Sequence, residues 1–161
     1  MATVRDAVSA VPDPELPMVT IEDLGILRGV EVSETGRVIV TITPTYSGCP
    51  AMDAIRVDIR RALERVGRGD VEVRTELFPA WTTDWISDAG ARKLAAAGIA
   101  PPGPAPAAGP VSVTLASRGP ARCPRCGSTD TEELSRYGST ACKALWRCRA
   151  CAEPFDHFKS H

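Results

Sequence analysis

Residues 37–66 read RVIVTITPTYSGCPAMDAIRVDIRRALERV and predict a strand, a loop and a helix in succession. Val38, Val40 and Ile42 alternate along the first part, which is the period of a half-buried strand. From Ala51 to Val66 the apolar side chains recur with the helical period, and arginines and acidic residues lie between them. The stretch therefore predicts a β-strand joined to an amphipathic helix by a loop.

The flanking segments extend this pattern into helices packed on one face of a sheet. Residues 26–33 have the alternation of a strand that forms a hairpin with residues 37–43. A third strand is predicted from Val71 to Leu77, and short helices are predicted at residues 3–10 and from Ser87 to Gly98. The predicted order is helix, β-hairpin, helix, strand and helix, which is an α+β fold of about 100 residues.

A segment rich in proline divides the chain. Residues 100–110 contain five prolines and two glycines, and this composition sustains neither a helix nor a β-ladder because proline lacks an amide donor. Residues 1–100 carry 15 acidic and 11 basic side chains and one cysteine, whereas residues 101–161 carry 5 acidic and 8 basic side chains and five cysteines. We therefore expect an α+β domain at 1–99, a linker at 100–110 and a β-rich metal-binding domain at 111–161.

The length and charge of the whole chain exclude several classes of protein. A chain of 161 residues is too short for a barrel enzyme, and a formal net charge of −1 provides no polycation for a nucleic-acid backbone. Its start lacks the pattern of a secretory signal, and no stretch of about 18 apolar residues predicts a membrane span. We expect a cytoplasmic protein, in which six cysteines favour metal or thiol chemistry over disulfides.

Four cysteines near the C-terminus have the spacing of a zinc ribbon. Two C-x-x-C pairs are separated by 21 residues, and their members are Cys123, Cys126, Cys148 and Cys151. Each pair places two sulfurs on one tight turn, and two such turns complete a closed tetrahedral site that is structural rather than catalytic. Zinc is the predicted metal, with iron in the same cage as the alternative. Because this domain has few large apolar side chains, we expect the metal to supply much of its folding free energy.

Other residues of the C-terminal domain are expected to lie outside this site. Cys142 is interpreted as a small buried side chain, with ligand exchange or partner contact as the alternative, and His157 and His161 are interpreted as surface or packing residues. Ala152 follows the second cysteine pair where Gly127 follows the first. A left-handed backbone costs more for alanine, which puts the conformation of the second turn in question.

The sixth cysteine, Cys49, lies in a different setting. Pro50 suits the first position of the predicted helix, so the Cys49 sulfur is expected at the N-cap. Unsatisfied amides and the helix dipole favour a thiolate there and predict a lowered pKa, hence a soft metal ligand or a nucleophile. An inert capping cysteine is the alternative. A nucleophilic enzyme needs a nearby base, and both histidines lie in the other predicted domain, so we expect no catalysis.

Two further features of the first domain allow more than one interpretation. Asp13-Pro14-Glu15 puts two carboxylates on a stiff turn, and turn chemistry alone explains the tripeptide. Trp81 and Trp85 are candidates for core cover or for a partner surface, and we expect at least one of them to lie in the core.

Three motifs together resemble a known family. Asp13-Pro14-Glu15, Asp23-Leu24-Gly25-Ile26 and the segment from Thr45 to Pro50, which ends in Gly-Cys-Pro, resemble the SufT-like iron–sulfur cluster assembly-associated domain over about residues 3–100. The tail motifs at residues 138–145 and 154–159 extend the resemblance over nearly the whole chain. There it resembles accessory proteins of bacterial phenylacetyl-CoA epoxidase systems.

The resemblance implies a non-catalytic maturation factor of aerobic phenylacetate degradation. Cys49 matches the family's iron- or cluster-handling thiol, and Asp13 and Glu15 match its acidic motif. The implied client is the reductase subunit of the flavin and plant-type ferredoxin class, or alternatively the di-iron oxygenase subunit, and the general iron–sulfur assembly machinery is an implied partner. A lone thiol supplies one of the four ligands that most clusters need, so a transient cluster or iron would require a partner or a homodimer.

Two other functions remain open from the sequence. A nucleic-acid-binding or regulatory ribbon is suggested by seven cations, which are Arg118, Arg122, Arg125, Arg136, Lys143, Arg147 and Arg149. A solvated face is the plainer interpretation, because few aromatic side chains lie between them for stacking. The other alternative is a thiol enzyme or an epoxidase subunit that participates in turnover.

Overall fold

The computed structural model describes residues 3–46, 48–105 and 119–160. By internal contacts the chain forms two units, Met1–Ala91 and Arg92–His161. This boundary lies before the predicted one at residue 99, because Ile99 and Ala100 pair with a strand of the second unit. Residues 106–110 of the predicted linker lie outside the described residues, as do Arg118 and His161.

The first unit has the predicted order of elements, so the α+β fold class is confirmed. The sheet contains an antiparallel hairpin followed by a parallel strand, in the order β1-β2-β3. A short 3₁₀ helix at Thr83–Trp85 precedes the third α-helix, which crosses the unit boundary. The elements are α1 (Val4–Ser9), β1 (Leu27–Val32), β2 (Val38–Ile42), α2 (Ala51–Arg65), β3 (Val71–Thr75) and α3 (Asp88–Ala96).

The alternating apolar residues of β2 and the apolar stripe of α2, both predicted from the sequence, form the core of this unit. The alternating side chains of β2 are fully buried, and so are the side chains that form one stripe of α2. Burial of each such side chain contributes about 1.5–3 kcal/mol. The fully buried members are Val38, Val40 and Ile42 on β2 and Ile55, Ile59 and Leu63 on α2.

The parallel pairing of β2 with β3 determines where the loops lie. Parallel strands end at the same edge of a sheet, and helix α2 makes the crossover between them. The pairing continues beyond the strands, where the amide of Glu76 donates to the carbonyl of Ile42 at 2.9 Å. The loop that contains Cys49 and the segment after β3 therefore start at the same end of the sheet.

The second unit is a small four-stranded sheet. Its strands have the order β4-β7-β6-β5, with β4 parallel to β7 and the other pairs antiparallel. The strands are β4 (Ile99–Ala100), β5 (Thr131–Ser135), β6 (Lys143–Cys148) and β7 (Pro154–Phe158). Among the residues that the structure describes, no helix is both long and apolar enough to cross a membrane.

Candidate metal-binding sites

The four predicted metal ligands lie together at one end of the second unit. Cys123 and Cys126 belong to the turn before β5, whereas Cys148 ends β6 and Cys151 lies in the turn before β7. The sulfurs of Cys123 and Cys151 are 3.8 Å apart, those of Cys126 and Cys148 are 3.6 Å apart, and all four lie within 4.8 Å of one another. Tetrahedral coordination at a Zn–S distance of about 2.3 Å requires sulfurs about 3.8 Å apart. The cage therefore fits zinc.

The two cysteine turns adopt the same backbone conformation. In the first turn, the amide of Cys123 donates to the carbonyl of Ser128 at 2.9 Å, and the φ angle of Gly127 is +75°. In the second turn, the amide of Cys148 donates to the carbonyl of Glu153 at 2.9 Å, and Ala152 has a φ angle of +61°. Alanine thus takes the left-handed conformation despite a cost of about 1–2 kcal/mol, which answers the question raised by the sequence.

Hydrogen bonds in the cage spread the pKa values of its thiols. The Ser128 amide stabilises the Cys126 thiolate, but the neighbouring thiols outweigh it and raise the pKa of Cys126 to about 12. Desolvation raises the pKa of Cys148, yet hydrogen bonds from backbone amides and adjacent thiols lower it to about 7. Some of these thiols therefore keep their protons without a metal, and a divalent cation would displace those protons on binding. Held by all four cysteines, zinc would supply folding free energy and leave no coordination position for substrate.

Ion pairs hold four of the basic side chains of the second unit, with three carboxylates as their partners. Of the seven cations considered from the sequence, six are described, and four of those six pair with carboxylates. Arg147 and Arg149 both bind Glu132, at 2.6 and 2.8 Å. The other two pairs are Arg125 with Glu153 and Lys143 with Asp156. These ion pairs reduce the positive surface that nucleic-acid binding needs, although they do not abolish it.

The other candidate residues of the second unit have packing roles. Cys142 is 5% exposed, and its sulfur lies 3.0 Å from the hydroxyl oxygen of Thr140. Its interpretation as a small buried side chain is confirmed. His157 meets the ring of Trp146 edge-on at a centroid distance of 5.5 Å, so the predicted packing role is also confirmed.

The two tryptophans of the first unit differ in burial. Trp81 is 5% exposed, and its indole nitrogen donates to the carbonyl of Leu24 at 2.8 Å. Trp85 is half-buried, and the guanidinium of Arg28 lies 3.7 Å from its ring centroid. The expectation that at least one of them belongs to the core is confirmed.

Cys49 lies one residue farther from helix α2 than predicted. Pro50 is the N-cap rather than the first helical residue, so the N-cap position predicted for Cys49 is wrong. The amide of Cys49 donates to the carbonyl of Tyr46, and the amide of Met52 donates to the carbonyl of Cys49, both at 3.3 Å. The Cys49 side chain is half-buried and forms no disulfide.

The predicted lowering of the Cys49 pKa is also wrong. Burial raises the pKa of the thiol above its ordinary value, and the nearby negative charges of Glu15 and Asp13 raise it further. The amide of Ala51 and the hydroxyl of Thr45 stabilise the thiolate but do not offset these effects. The sequence analysis missed Thr45 as a contact of the thiol, although it lies within the quoted family motif.

The Asp13 turn brings its carboxylates towards the thiol from a distant part of the sequence. Asp13 is 5% exposed, and one of its carboxylate oxygens accepts hydrogen bonds from the amides of Glu15 and Leu16 at 2.9 and 2.8 Å. Burial raises the pKa of Asp13 in spite of these two hydrogen bonds. Turn chemistry therefore explains the local geometry, while the negative charges of the two carboxylates act on the Cys49 thiol and raise its pKa.

Asp13, Glu15 and Cys49 do not form a complete metal site. Within the described residues, the four-cysteine cage is the only group of three or more cysteine, histidine or acidic side chains close enough to hold an ion together. Asp13, Glu15 and Cys49 form no second group of that kind. They offer a thiol beside carboxylates, and any cargo bound there needs further ligands from elsewhere.

The fold and the sites define a class of two-unit proteins that join an iron–sulfur assembly-type domain to a four-cysteine ribbon. Residues 1–75 match the family described as iron-sulfur cluster assembly protein, and residues 107–159 match the family described as PaaD zinc beta ribbon domain. A candidate component of 1,2-phenylacetyl-CoA epoxidase from Escherichia coli strain K12 is 47% identical over 94% of this chain and 87% of its own length. The chain belongs to the same family of epoxidase components.

Two further proteins each match about half of the chain. An Fe-S protein maturation auxiliary factor from Porphyromonas gingivalis is 40% identical over 48% of this chain and 74% of its own length. The crystal structure of a domain of unknown function, DUF59, from Bacillus anthracis is 29% identical and has a TM-score of 0.52, covering 56% of this chain and 87% of that one. The resemblance predicted from the sequence motifs is confirmed.

Proposed function

We propose that this protein is a non-catalytic maturation factor of a phenylacetyl-CoA epoxidase system. In this role Cys49 transiently binds iron or an iron–sulfur cluster and passes it to a client subunit in the cytoplasm. The observation that carries the proposal is a half-buried thiol beside two carboxylates, separate from the four cysteines that can hold a structural ion.

The chemistry of this cluster suits temporary binding. A thiol must lose its proton to ligate iron, and the carboxylates of Asp13 and Glu15 attract a cation to the same place. One thiol leaves most ligand positions of iron or of a cluster to other molecules, so a partner can take the cargo without dismantling a closed site. The partner is either the client, the assembly machinery or a second copy of this chain.

The absence of a base argues against a thiol enzyme. The sequence has two histidines, His157 and His161, and both belong to the second unit. The titratable groups that affect the Cys49 thiol are the carboxylates of Glu15 and Asp13, and their charges oppose its ionisation. A nucleophile is activated by an adjacent base or a lowered pKa, and neither is found among the groups acting on this thiol.

The names of the relatives support the assignment of the client. The relative that covers almost the whole chain is named for the epoxidase, whereas the relatives of the first unit are named Fe-S protein maturation auxiliary factors. We propose the flavin- and ferredoxin-containing reductase subunit as the client, with the di-iron oxygenase subunit as the second candidate. The ribbon, with zinc as its structural ion, contributes to recognition of that client.

Substitution of Cys49 tests the proposal. Cys49→Ser, co-expressed with the reductase and oxygenase subunits, should leave the zinc content of this protein unchanged and reduce the iron and sulfide content of the reductase. Cys142→Ser is the matched control, because Cys142 is a cysteine outside the cage that the proposal does not use. Normal cluster content in the reductase and normal iron content in the oxygenase beside Cys49→Ser would reject the proposed function.

A reconstitution separates maturation from turnover. Oxygenase and reductase that have been matured in the presence of this protein, and then purified away from it, should epoxidise phenylacetyl-CoA at the full rate. A rate that depends on adding the protein back would favour a role in turnover instead.

A further inference from the structure

Two adjacent apolar side chains project into solvent directly after strand β3. Leu77 is 67% exposed and Phe78 is 89% exposed, which makes Phe78 the most exposed large apolar side chain of the described residues. Single exposed apolar residues are common, but aromatic side chains such as that of Phe78 are enriched at protein interfaces. The segment was predicted as the end of a strand, whereas the strand ends at Thr75.

The position of this pair relates it to the candidate thiol. Strands β2 and β3 are parallel, and the hydrogen bond from Glu76 to Ile42 holds the start of the two following segments side by side. One segment leads through the Cys49 loop into α2, and the other carries Leu77 and Phe78. The exposed apolar pair and the thiol loop therefore leave the same end of one sheet.

The charges at this end are predominantly negative. Glu76 is exposed next to the apolar pair, and Asp13 and Glu15 act on the thiol. Arg56 contacts the end of β3 through Thr75, but it is ion-paired with Asp53 at 2.8 Å. Arg74 is ion-paired with Glu72, also at 2.8 Å. Because both arginines are already ion-paired, they do not offset the charge of Glu76 beside the apolar pair.

We propose that Leu77 and Phe78 are the anchor by which a protein partner docks beside Cys49. The partner offers an apolar pocket that receives Phe78, and basic side chains around this pocket meet the exposed carboxylate of Glu76. A second copy of the chain fits less well, because a self-complementary contact would bring the two Glu76 carboxylates against each other. The identity of the partner as a client subunit rests on the proposed function, whereas the docking surface rests on exposure and charge.

Equilibrium binding between full-length purified proteins tests the docking surface. The probes are the reductase subunit and the oxygenase subunit in their metal-free forms, each measured against the wild type at low and high salt. Phe78→Ser should weaken binding by about tenfold or more, as expected for an aromatic anchor, and high salt should weaken the wild-type complex. Val32→Ser is the matched control, because Val32 is 51% exposed and pairs with Val38 at the opposite end of the sheet.

The outcomes separate this inference from the proposed function. Equal affinity of the wild type and Phe78→Ser for the client, an equal loss with Val32→Ser, or no binding of either subunit by the wild type would overturn the docking surface. A dimer in sedimentation that disappears with Phe78→Ser would also overturn it in favour of self-association. If Cys49→Ser leaves client metal content normal while Phe78→Ser still weakens binding, the proposed function fails and the docking surface stands.

Discussion

The four-cysteine cage and the Cys49 loop place cysteine sulfur in contrasting surroundings. In the cage, each sulfur lies within 4.8 Å of three others, and backbone amides of two tight turns support the thiolates. At Cys49, the neighbours are a hydroxyl, an amide and two carboxylates. The first arrangement satisfies a metal ion completely, whereas the second leaves most of its ligand positions open.

The hydrophobic cores explain this contrast. Among the described residues, the cluster that includes cage cysteines has two large side chains, Trp146 and Phe155, beside alanines and cysteines, and the second unit adds three more buried large apolar residues, Leu94, Ile99 and Phe158. The first unit instead has a series of fully buried isoleucine, leucine and valine side chains on its sheet and helices. A unit with a small core requires metal for stability, and a unit with a larger core can leave its cysteine free for another role.

Loss of the cage should have the largest effect. Cys148→Ser removes one of four zinc ligands, so we expect loss of zinc and unfolding of the second unit, since structural zinc contributes on the order of 10 kcal/mol. Zinc analysis, together with proteolysis and mass spectrometry of the fragments, measures both results. Cys142→Ser should retain zinc, and a folded, protease-resistant second unit in Cys148→Ser would contradict the comparison.

A cavity in the core of the first unit should have the next largest effect. Ile59 is fully buried on α2, so Ile59→Ala should lower the free energy of unfolding of that unit by about 2–5 kcal/mol. Chemical denaturation measures the change, and the zinc content should stay at the wild-type value. If Ile59→Ala left the free energy of unfolding of the first unit unchanged, and removal of zinc lowered it, the first unit would also depend on the metal.

The Asp13 carboxylate should make the first unit sensitive to pH. Its pKa is raised by burial, so the folded protein binds this proton more tightly than the unfolded chain does. Stability relative to Asp13→Asn should therefore fall as the pH rises from below about 3.9, the ordinary value, through the raised pKa. Asparagine keeps the acceptor for the two turn amides. Denaturation curves of the two proteins at a series of pH values give the difference, and a constant difference would contradict the burial effect.

The smallest expected effect concerns the backbone of the second cysteine turn. Ala152 has a left-handed backbone, so Ala152→Gly should relieve a strain of about 1–2 kcal/mol, offset by about 0.5–1 kcal/mol of extra backbone entropy, and should tighten zinc binding up to about fivefold. Competition with a chelator measures the affinity. Gly127→Ala should shift it in the opposite direction, and weaker binding by Ala152→Gly would show that its left-handed conformation stores no strain.

The sequence predicted features that depend on local spacing. The helix predicted from Ala51 to Val66 is observed as Ala51–Arg65, because its apolar period is regular and a glycine follows it. The cysteine pairs predicted the cage equally well, since two C-x-x-C turns have few other uses. In both cases a short stretch of sequence contains the physical cause.

Features that depend on distant contacts could not be predicted in the same way. The sign of the Cys49 pKa shift follows from burial and from carboxylates more than 30 residues away, and neither is visible in the local sequence. Ile99 and Ala100 join the ribbon sheet by pairing with β7, so composition alone put the domain boundary too late. The exposure of Phe78 depends on where β3 ends, and the alternation of the sequence placed that end two residues farther on.

We propose that the four cage cysteines hold zinc, whereas Cys49 binds iron. Metal and sulfide analysis after anaerobic reconstitution tests this claim most directly. The wild type and Cys49→Ser are each purified with zinc, incubated with ferrous iron, sulfide and excess glutathione, whose thiolates can supply the remaining ligands, and freed of unbound ions. We predict about one zinc ion per chain in both proteins, and iron bound by the wild type alone. Equal iron in the two proteins, or iron that replaces zinc in the four-cysteine cage, would contradict the account.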